Sequence, residues 1–279
     1  MPASAHMTGK TIAARPWTAF FAIWAQRSLI LQLVRREVLN RYKGSVLGLL
    51  WSIIYPLMLL AVYTFVFRVV FNARWDPNGG NLDYALVLFA GLIVFNFFSE
   101  SLASSPRLLQ SHVSFVKKVV FPLEILAGVV IGNALFHALV SLAVLLAAIW
   151  VVQGSLSWTL VLLPLIWLPL VMLTLGFVWL ISALGVYLRD LNELINVALL
   201  MLFFMSPILY PVHALPEWLR PYMLLNPLAP LVEQTRSVAL HGQVPGLVPW
   251  LLTLALSWLV AWLGFAWFQK TREGFADVL

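Results

Sequence analysis

The chain has 279 residues, 62% of them hydrophobic and 10% charged, and its 17 Lys and Arg against 11 Asp and Glu give a formal charge of +6. A soluble domain keeps about a quarter of its residues charged, so this composition describes an all-α polytopic membrane protein. The absence of cysteine excludes disulfides, thiolate metal sites and cysteine nucleophiles. The basic excess clusters beside apolar runs, which points to membrane orientation and anionic lipid rather than nucleic acid.

Residues 1–16 read as a flexible N-terminus. Within them, Thr8-Gly9-Lys10-Thr11 imitates the end of a phosphate-binding loop, but that loop needs Gly where Ser4 stands, inside a strand-to-helix turn. No nucleotide site is expected there. The first long apolar run begins more than forty residues in and exceeds a signal-peptide core, so no cleaved signal is expected.

Residues 17–43 form an amphipathic region that lies on the membrane surface. Trp17, Phe20, Phe21 and Trp24 share one helical face, whereas Leu29, Ile30, Leu33 and Val34 lie on nearly the opposite one. Two short helices meeting near Gln26–Ser28 fit this pattern better than one rod. The second delivers Arg35, Arg36, Arg41 and Lys43 to the mouth of the first span, at headgroup depth, where Arg is suited to hold phosphate.

A span needs roughly 20 apolar residues. Six candidates follow: Val46–Phe67 with Pro56 inside it, the shorter Tyr84–Ser99, Ile125–Val152, Trp158–Leu188 broken by Pro164 and Pro169, Leu194–Pro211, and Leu247–Phe268. Together they make a transmembrane domain over 44–268, with a tail at 269–279. An even count puts both termini on one side. That side collects thirteen of the seventeen Lys and Arg, which makes it cytoplasmic.

Residues 211–249 are apolar yet carry seven prolines, which fits neither an exposed loop nor a spanning helix. Two short re-entrant helices, Pro216–Leu225 and Pro230–Leu240, are expected instead, each opened by proline. Aromatics are dense on the first, second and fifth spans: Trp51, Tyr55, Tyr63, Phe95, Phe98, Phe203, Phe204 and Tyr210. Each alone reads as lipid-facing bulk; as a set they could line a path for sugar rings. The loop after the second span holds a candidate helix, Arg107–Val116, either a docking element or a surface connector.

Glycine pairs Gly44/Gly48 and Gly128/Gly132 permit close helix approach, within the chain or between subunits. His137 lies mid-span with no acidic neighbour in sequence and reads as a packed, hydrogen-bonded residue. Glu100 and Glu124 lie at span ends. No Asp, Glu, Lys or Arg occupies a span centre, which argues against an ion-coupled carrier.

The segments RREVLNRYKGSVLGLLWSIIYPL at 35–57, SFVKKVVFPLEIL at 114–126, YLRDLNELI at 187–195, FFMSPILYP at 203–211, LNPLAPLVEQTR at 225–236 and FADVL at 275–279 carry a resemblance. In order and spacing, over nearly the whole chain, they resemble the permease subunit of bacterial polysaccharide ABC exporters of the O-antigen, capsule and teichoic-acid type. The resemblance implies a homodimer in the inner membrane with two copies of a separate ABC ATPase, which would carry the ATP and Mg. It implies an interfacial gate helix at 17–43 and a coupling helix at about 105–118, including Arg107, Leu108, His112, Phe115, Lys117 and Lys118. It implies a periplasmic gate at about 212–243, including Pro216, Trp218, Asn226, Pro227, Glu233 and Arg236. The chain is then a transport subunit rather than an enzyme, with no cofactor of its own.

The implied substrate is a polyprenyl-pyrophosphate-linked glycan, O-antigen first among the choices. Physical reasoning agrees at three points: no nucleotide site is legible, a basic cluster lies at headgroup depth, and a neutral aromatic path suits a sliding polymer. Capsule or teichoic-acid export, export of a small lipid or drug, and at a distance an ion-coupled carrier or channel are the alternatives.

Overall fold

A computed structural model describes residues 24–71, 75, 84–117 and 121–279, and these residues form helices and connecting turns with no strand among them. Eight longer helices organise the described residues: α1 (Arg27–Arg41), α2 (Trp51–Tyr63), α3 (Tyr84–Ser104), α4 (Ile125–Gln153), α5 (Leu163–Tyr187), α6 (Leu191–Met205), α7 (Ala229–Ala239) and α8 (Leu247–Thr271). One-turn helices at Val113–Val116 and Phe275–Val278 join them. An apolar bilayer leaves backbone groups no water to bond, so runs this apolar close their hydrogen bonds internally as helix.

Among the described residues, five stretches are long and apolar enough to cross a membrane: Gly48–Val70, Tyr84–Arg107, Ile125–Gln153, Trp158–Tyr187 and Leu247–Val278. The fifth candidate, Leu194–Pro211, is instead a 15-residue helix, α6, followed by an irregular turn at Ser206–Pro211. At 1.5 Å per residue α6 is about 22 Å long, short of the roughly 30 Å hydrocarbon core. The reason is local: Pro207 and Pro211 end the helix early.

α3 is the central pillar. Of its most apolar window 83% is buried, against 6% for the first span. α5 and α8 pack backbone to backbone at glycines. A Cβ on Gly264 would lie 2.1 Å from the Gly176 carbonyl oxygen, and one on Gly176 would lie 2.5 Å from that of Val260. Such contact favours helix association where no hydrophobic drive separates protein from lipid. Pro169, expected to break the fourth span, sits inside a continuous α5. Its missing N–H leaves the Leu165 carbonyl open, and Trp250 Nε1 of α8 donates to that oxygen at 3.3 Å.

The first span is the irregular one. Gly44 (φ +86°) and Gly48 (φ +51°) turn the chain into it, and no described residue lies within 4 Å of where a Cβ would stand on either. They therefore serve backbone geometry rather than helix contact within the chain. Beyond Tyr63 the helix winds wider, as a π-helix over Thr64–Val70, a form seldom longer than one turn.

The surface region is partly described. Trp24 and Ala25 are helical, a turn at Gln26 follows, and α1 begins at Arg27, where two helices were expected to meet. Residues 1–23, with the expected flexible terminus and the first of those helices, lie outside the described residues. α1 packs on α4, with Ile30, Leu33, Ile125 and Val129 forming their own small apolar cluster. Gly128 and Gly132 provide the seat: Ile30 Cδ1 and Val34 Cγ2 occupy the space where their Cβ atoms would be.

The C-terminal ends of α3, α5 and α8 and the starts of α4 and α1 gather at one end of the bundle, the basic end, and α1 runs from there along α4 as far as His137. α7, the start of α3 and the Ser206–Pro211 turn gather at the other, the far end.

Candidate functional site

Three cavities run along α3 from the basic end. The first, about 540 Å³, is bordered by Glu37, Arg41, Glu100, Arg107, His112 and Asn133. The second, about 470 Å³, shares Arg41 and Glu100 with it and adds Trp51, Tyr55, Asn96 and His137. The third, about 400 Å³, shares Asn96 and Leu199 with the second and adds Tyr63, Phe95, Asn196 and Phe203. Neighbouring cavities therefore have common walls.

The walls follow from helical spacing. On α3, Asn96, Glu100 and Ser104 lie at i, i+4 and i+8; on α4, Asn133, His137 and Ser141 do the same. Each triplet makes a polar stripe on one helix face, and the two stripes face each other across the first two cavities. Asn96 is the one exposed residue between Tyr84 and Leu102. Opposite the stripes, Trp51 and Tyr55 present rings from α2, 41% and 63% exposed.

Where the first two cavities meet, Arg41 NH1 donates to Glu100 Oε1. His137 Nε2 is 3.9 Å from the same oxygen, and Tyr42 OH is 3.4 Å from His137 Nδ1. Burial pushes the Tyr42 phenol above its ordinary range, with Arg41 pulling it back and Glu100 adding to the rise, so the hydroxyl keeps its proton. Glu100, Tyr42, His137 and the two Asn side chains were not singled out as site residues from the sequence. The signal was present as four-residue spacing of polar residues inside apolar runs.

Of the expected headgroup residues, Arg41 alone borders these cavities. Arg35, Arg36 and Lys43 are exposed, with Arg36 NH2 3.6 Å from Glu37 Oε1. Of the expected channel aromatics, Trp51 and Tyr55 border the second cavity, and Tyr63, Phe95 and Phe203 the third. Phe98 is buried edge-to-face against Phe177 at 5.8 Å. Phe204 is exposed, and its carbonyl accepts from Tyr210 OH at 2.8 Å.

The expected coupling helix is a succession of short turns: Ser105–Arg107, Gln110–His112 and Val113–Val116. Leu108 is buried, Lys117 is exposed, and Lys118 lies outside the described residues. Phe115 stacks between His112 (5.7 Å) and Phe121 (4.4 Å, 8° between planes). Arg272, past the end of α8, donates to the Phe121 carbonyl at 3.2 Å and pairs with buried Glu124 at 3.0 Å. This run of contacts links the turns to α4 and α8.

At the far end, the first expected re-entrant helix is a 3-10 helix over Arg220–Leu225, and the second is α7. Arg236 is 1% exposed and donates to the carbonyls of Val87 (3.0 Å), Pro207 (2.6 Å) and Ile208 (3.0 Å) and to Glu233 Oε1 (2.9 Å). Its guanidinium also lies over the Trp75 ring at 4.5 Å. Asn226 Nδ2 donates to the Met205 carbonyl (3.1 Å) and Ser206 Oγ (2.9 Å), and its Oδ1 accepts from Leu228 N. Asn226, Glu233 and Arg236 thus meet at the end of α6, next to Pro227, while Pro216 and Trp218 stand away, exposed.

Over residues 28–240 the chain matches the ABC-2 type transporter family. It is 29% identical over 257 residues to the O-antigen export system permease protein RfbA of Myxococcus xanthus, covering 91% of this chain and 96% of that protein. Against RfbA of Klebsiella pneumoniae the identity is 29% over 253 residues, covering 90% and 95%. Against the polysialic acid transport protein KpsM of Escherichia coli it is 28% over 254 residues, covering 89% and 95%. The family match takes in α1 through α7, and with them all three cavities. The chain therefore belongs to the ABC-2 type transporter family, as a multi-pass membrane permease.

Proposed function

We propose that this permease exports a polyprenyl-pyrophosphate-linked polysaccharide, of O-antigen or capsular type, across the inner membrane. Near full-length kinship with O-antigen and polysialic acid permeases supports the substrate class. The continuity of the three cavities along α3 carries the path. Aromatic faces stack on sugar rings while Asn96, His137 and Ser141 offer hydrogen bonds to hydroxyls, and Arg41, where the first two cavities meet, receives the lipid pyrophosphate, with Arg35, Arg36 and Lys43 as the surrounding basic field.

The basic end faces the cytoplasm, together with both termini, by the excess of Lys and Arg there. Two copies of the chain pair through the little-buried first span and the exposed face of α6, and each covers cavities the other leaves open. Two copies of an ABC ATPase bind the turns around Arg107–Lys118 and supply ATP and Mg. α6 and the turn after it complete a sixth crossing. The 3-10 helix at Arg220–Leu225 and α7 form the periplasmic gate as re-entrant segments, held in place by Asn226 and Arg236.

The test is surface glycan in cells carrying Arg41→Ala or Trp51→Ala. Each lowers surface polymer with the protein folded and in the membrane; normal surface polymer in both overturns the path.

A further inference from the structure

The first and second cavities share one closing contact, the ion pair between Arg41, the last residue of α1, and Glu100 on α3. The side chains are 51% and 29% exposed, so the pair sits where water reaches it and where such pairs exchange readily. Arg41 reaches Glu100 through one nitrogen and one oxygen, which leaves most of its guanidinium fork for another acceptor.

Glu100 has a second partner in waiting. His137 Nε2 is buried with no hydrogen-bond partner among the described residues, a costly state inside an apolar bundle. It lies 3.9 Å from the oxygen that Arg41 holds. In the tautomer that lets Tyr42 O–H donate to Nδ1, the ring's own proton stands on Nε2, the nitrogen 3.9 Å from the carboxylate oxygen.

We propose that Arg41 and Glu100 form a latch opened by a pyrophosphate headgroup. The headgroup takes Arg41 from Glu100, Glu100 shifts by about an ångström to accept from His137 Nε2–H, and the wall between the first two cavities parts. A pyrophosphate exceeds a carboxylate in charge and in acceptor oxygens, and it engages the guanidinium fork at two points. A neutral sugar cannot make this exchange. The latch thus sets an order, headgroup first and glycan after, and it keeps the path shut between substrates. This rests on the reading of Arg41 as the headgroup site.

The experiment is equilibrium binding of farnesyl pyrophosphate to the full-length chain in neutral-lipid nanodiscs. Glu100→Gln and Glu100→Ala, which remove the competitor, bind the probe about two- to five-fold more tightly than the wild type. Arg41→Gln loses most of the binding. His137→Phe weakens it about two-fold, and His137→Gln, which retains a donor, restores it. Unchanged affinity in both Glu100 variants, with loss in Arg41→Gln, overturns the latch and leaves the headgroup site standing. Unchanged affinity in Arg41→Gln overturns the site itself. Inorganic pyrophosphate binding as tightly as farnesyl pyrophosphate assigns the exchange to free phosphate and overturns the lipid headgroup, and farnesol binding as tightly removes phosphate from the account.

Discussion

Arg236 and Val87 are 149 residues apart in sequence, yet Arg236 Nε donates to the Val87 carbonyl at 3.0 Å. The bond ties α7 to the first turn of α3, and the same guanidinium reaches the carbonyl of Pro207, which Pro211 leaves without a helical donor, and that of Ile208 in the irregular turn. Removing the side chain strands several buried acceptors at once. Arg236→Ala is expected to cost about 3–5 kcal/mol, read as a lowered thermal midpoint in detergent. Arg236→Lys recovers little, because one ammonium cannot address carbonyls on two segments.

The seat of α1 on α4 gives a second prediction. A Cβ on Gly132 would come within 2.5 Å of Val34 Cγ2, and Val is too stiff to step aside. Gly132→Ala therefore lowers stability by about 1–3 kcal/mol and lifts α1, with Arg41, from its place. Val34→Ala in the same chain restores both the thermal midpoint and surface glycan.

Trp250 and Pro169 are coupled through the Leu165 carbonyl. Trp250→Phe removes the indole donor and is expected to cost about 0.6–1 kcal/mol. In a Pro169→Leu background the main chain supplies the missing N–H, and the same substitution becomes nearly neutral. A double-mutant cycle of thermal midpoints reads the coupling.

Phe115 tests the link between the turns around Arg107–Lys118 and the bundle. Phe115→Ala removes two ring contacts, each worth about 0.5–1.5 kcal/mol, and frees the turns from Phe121 and so from Arg272. With the ATPase present, glycan moved per ATP hydrolysed falls while hydrolysis continues. Phe115→Tyr preserves both. Equal losses of hydrolysis and transport would assign Phe115 to docking alone.

Much of this was legible in the residues. Apolar run lengths located five spans, the proline-rich stretch located α7 within a residue or two, and the opposed apolar faces around Trp24 and Ile30 located the turn at Gln26. The site was legible in part. Arg41, Trp51 and Tyr55 were named from charge and aromatic density, but Glu100 looked like an interfacial acid and His137 like a residue without an acidic partner. Their partnership is an α3–α4 contact, and periodicity reports the face a residue occupies without reporting the helix opposite. The polar stripes were visible as i, i+4, i+8 spacing and could have paired them. Gly44 and Gly48 turn the backbone through positive φ and make no helix contact among the described residues, and a small-residue pair has the same sequence form whether it serves packing or a positive φ. The π-wound end of the first span has no sequence mark comparable to proline or glycine.

The central claim, that glycan passes along α3, is tested most directly at Asn96, on the wall common to the second and third cavities. The chain has no cysteine, so Asn96→Cys is a single labelling site. In the complex with its ATPase, maleimide labelling at that position is expected to fall when lipid-linked glycan is stalled in the permease and to recover on its release. Labelling of Leu252→Cys, on the exposed face of α8, stays constant. Equal labelling of Asn96→Cys with and without stalled glycan, in a permease that still exports it, would contradict the path.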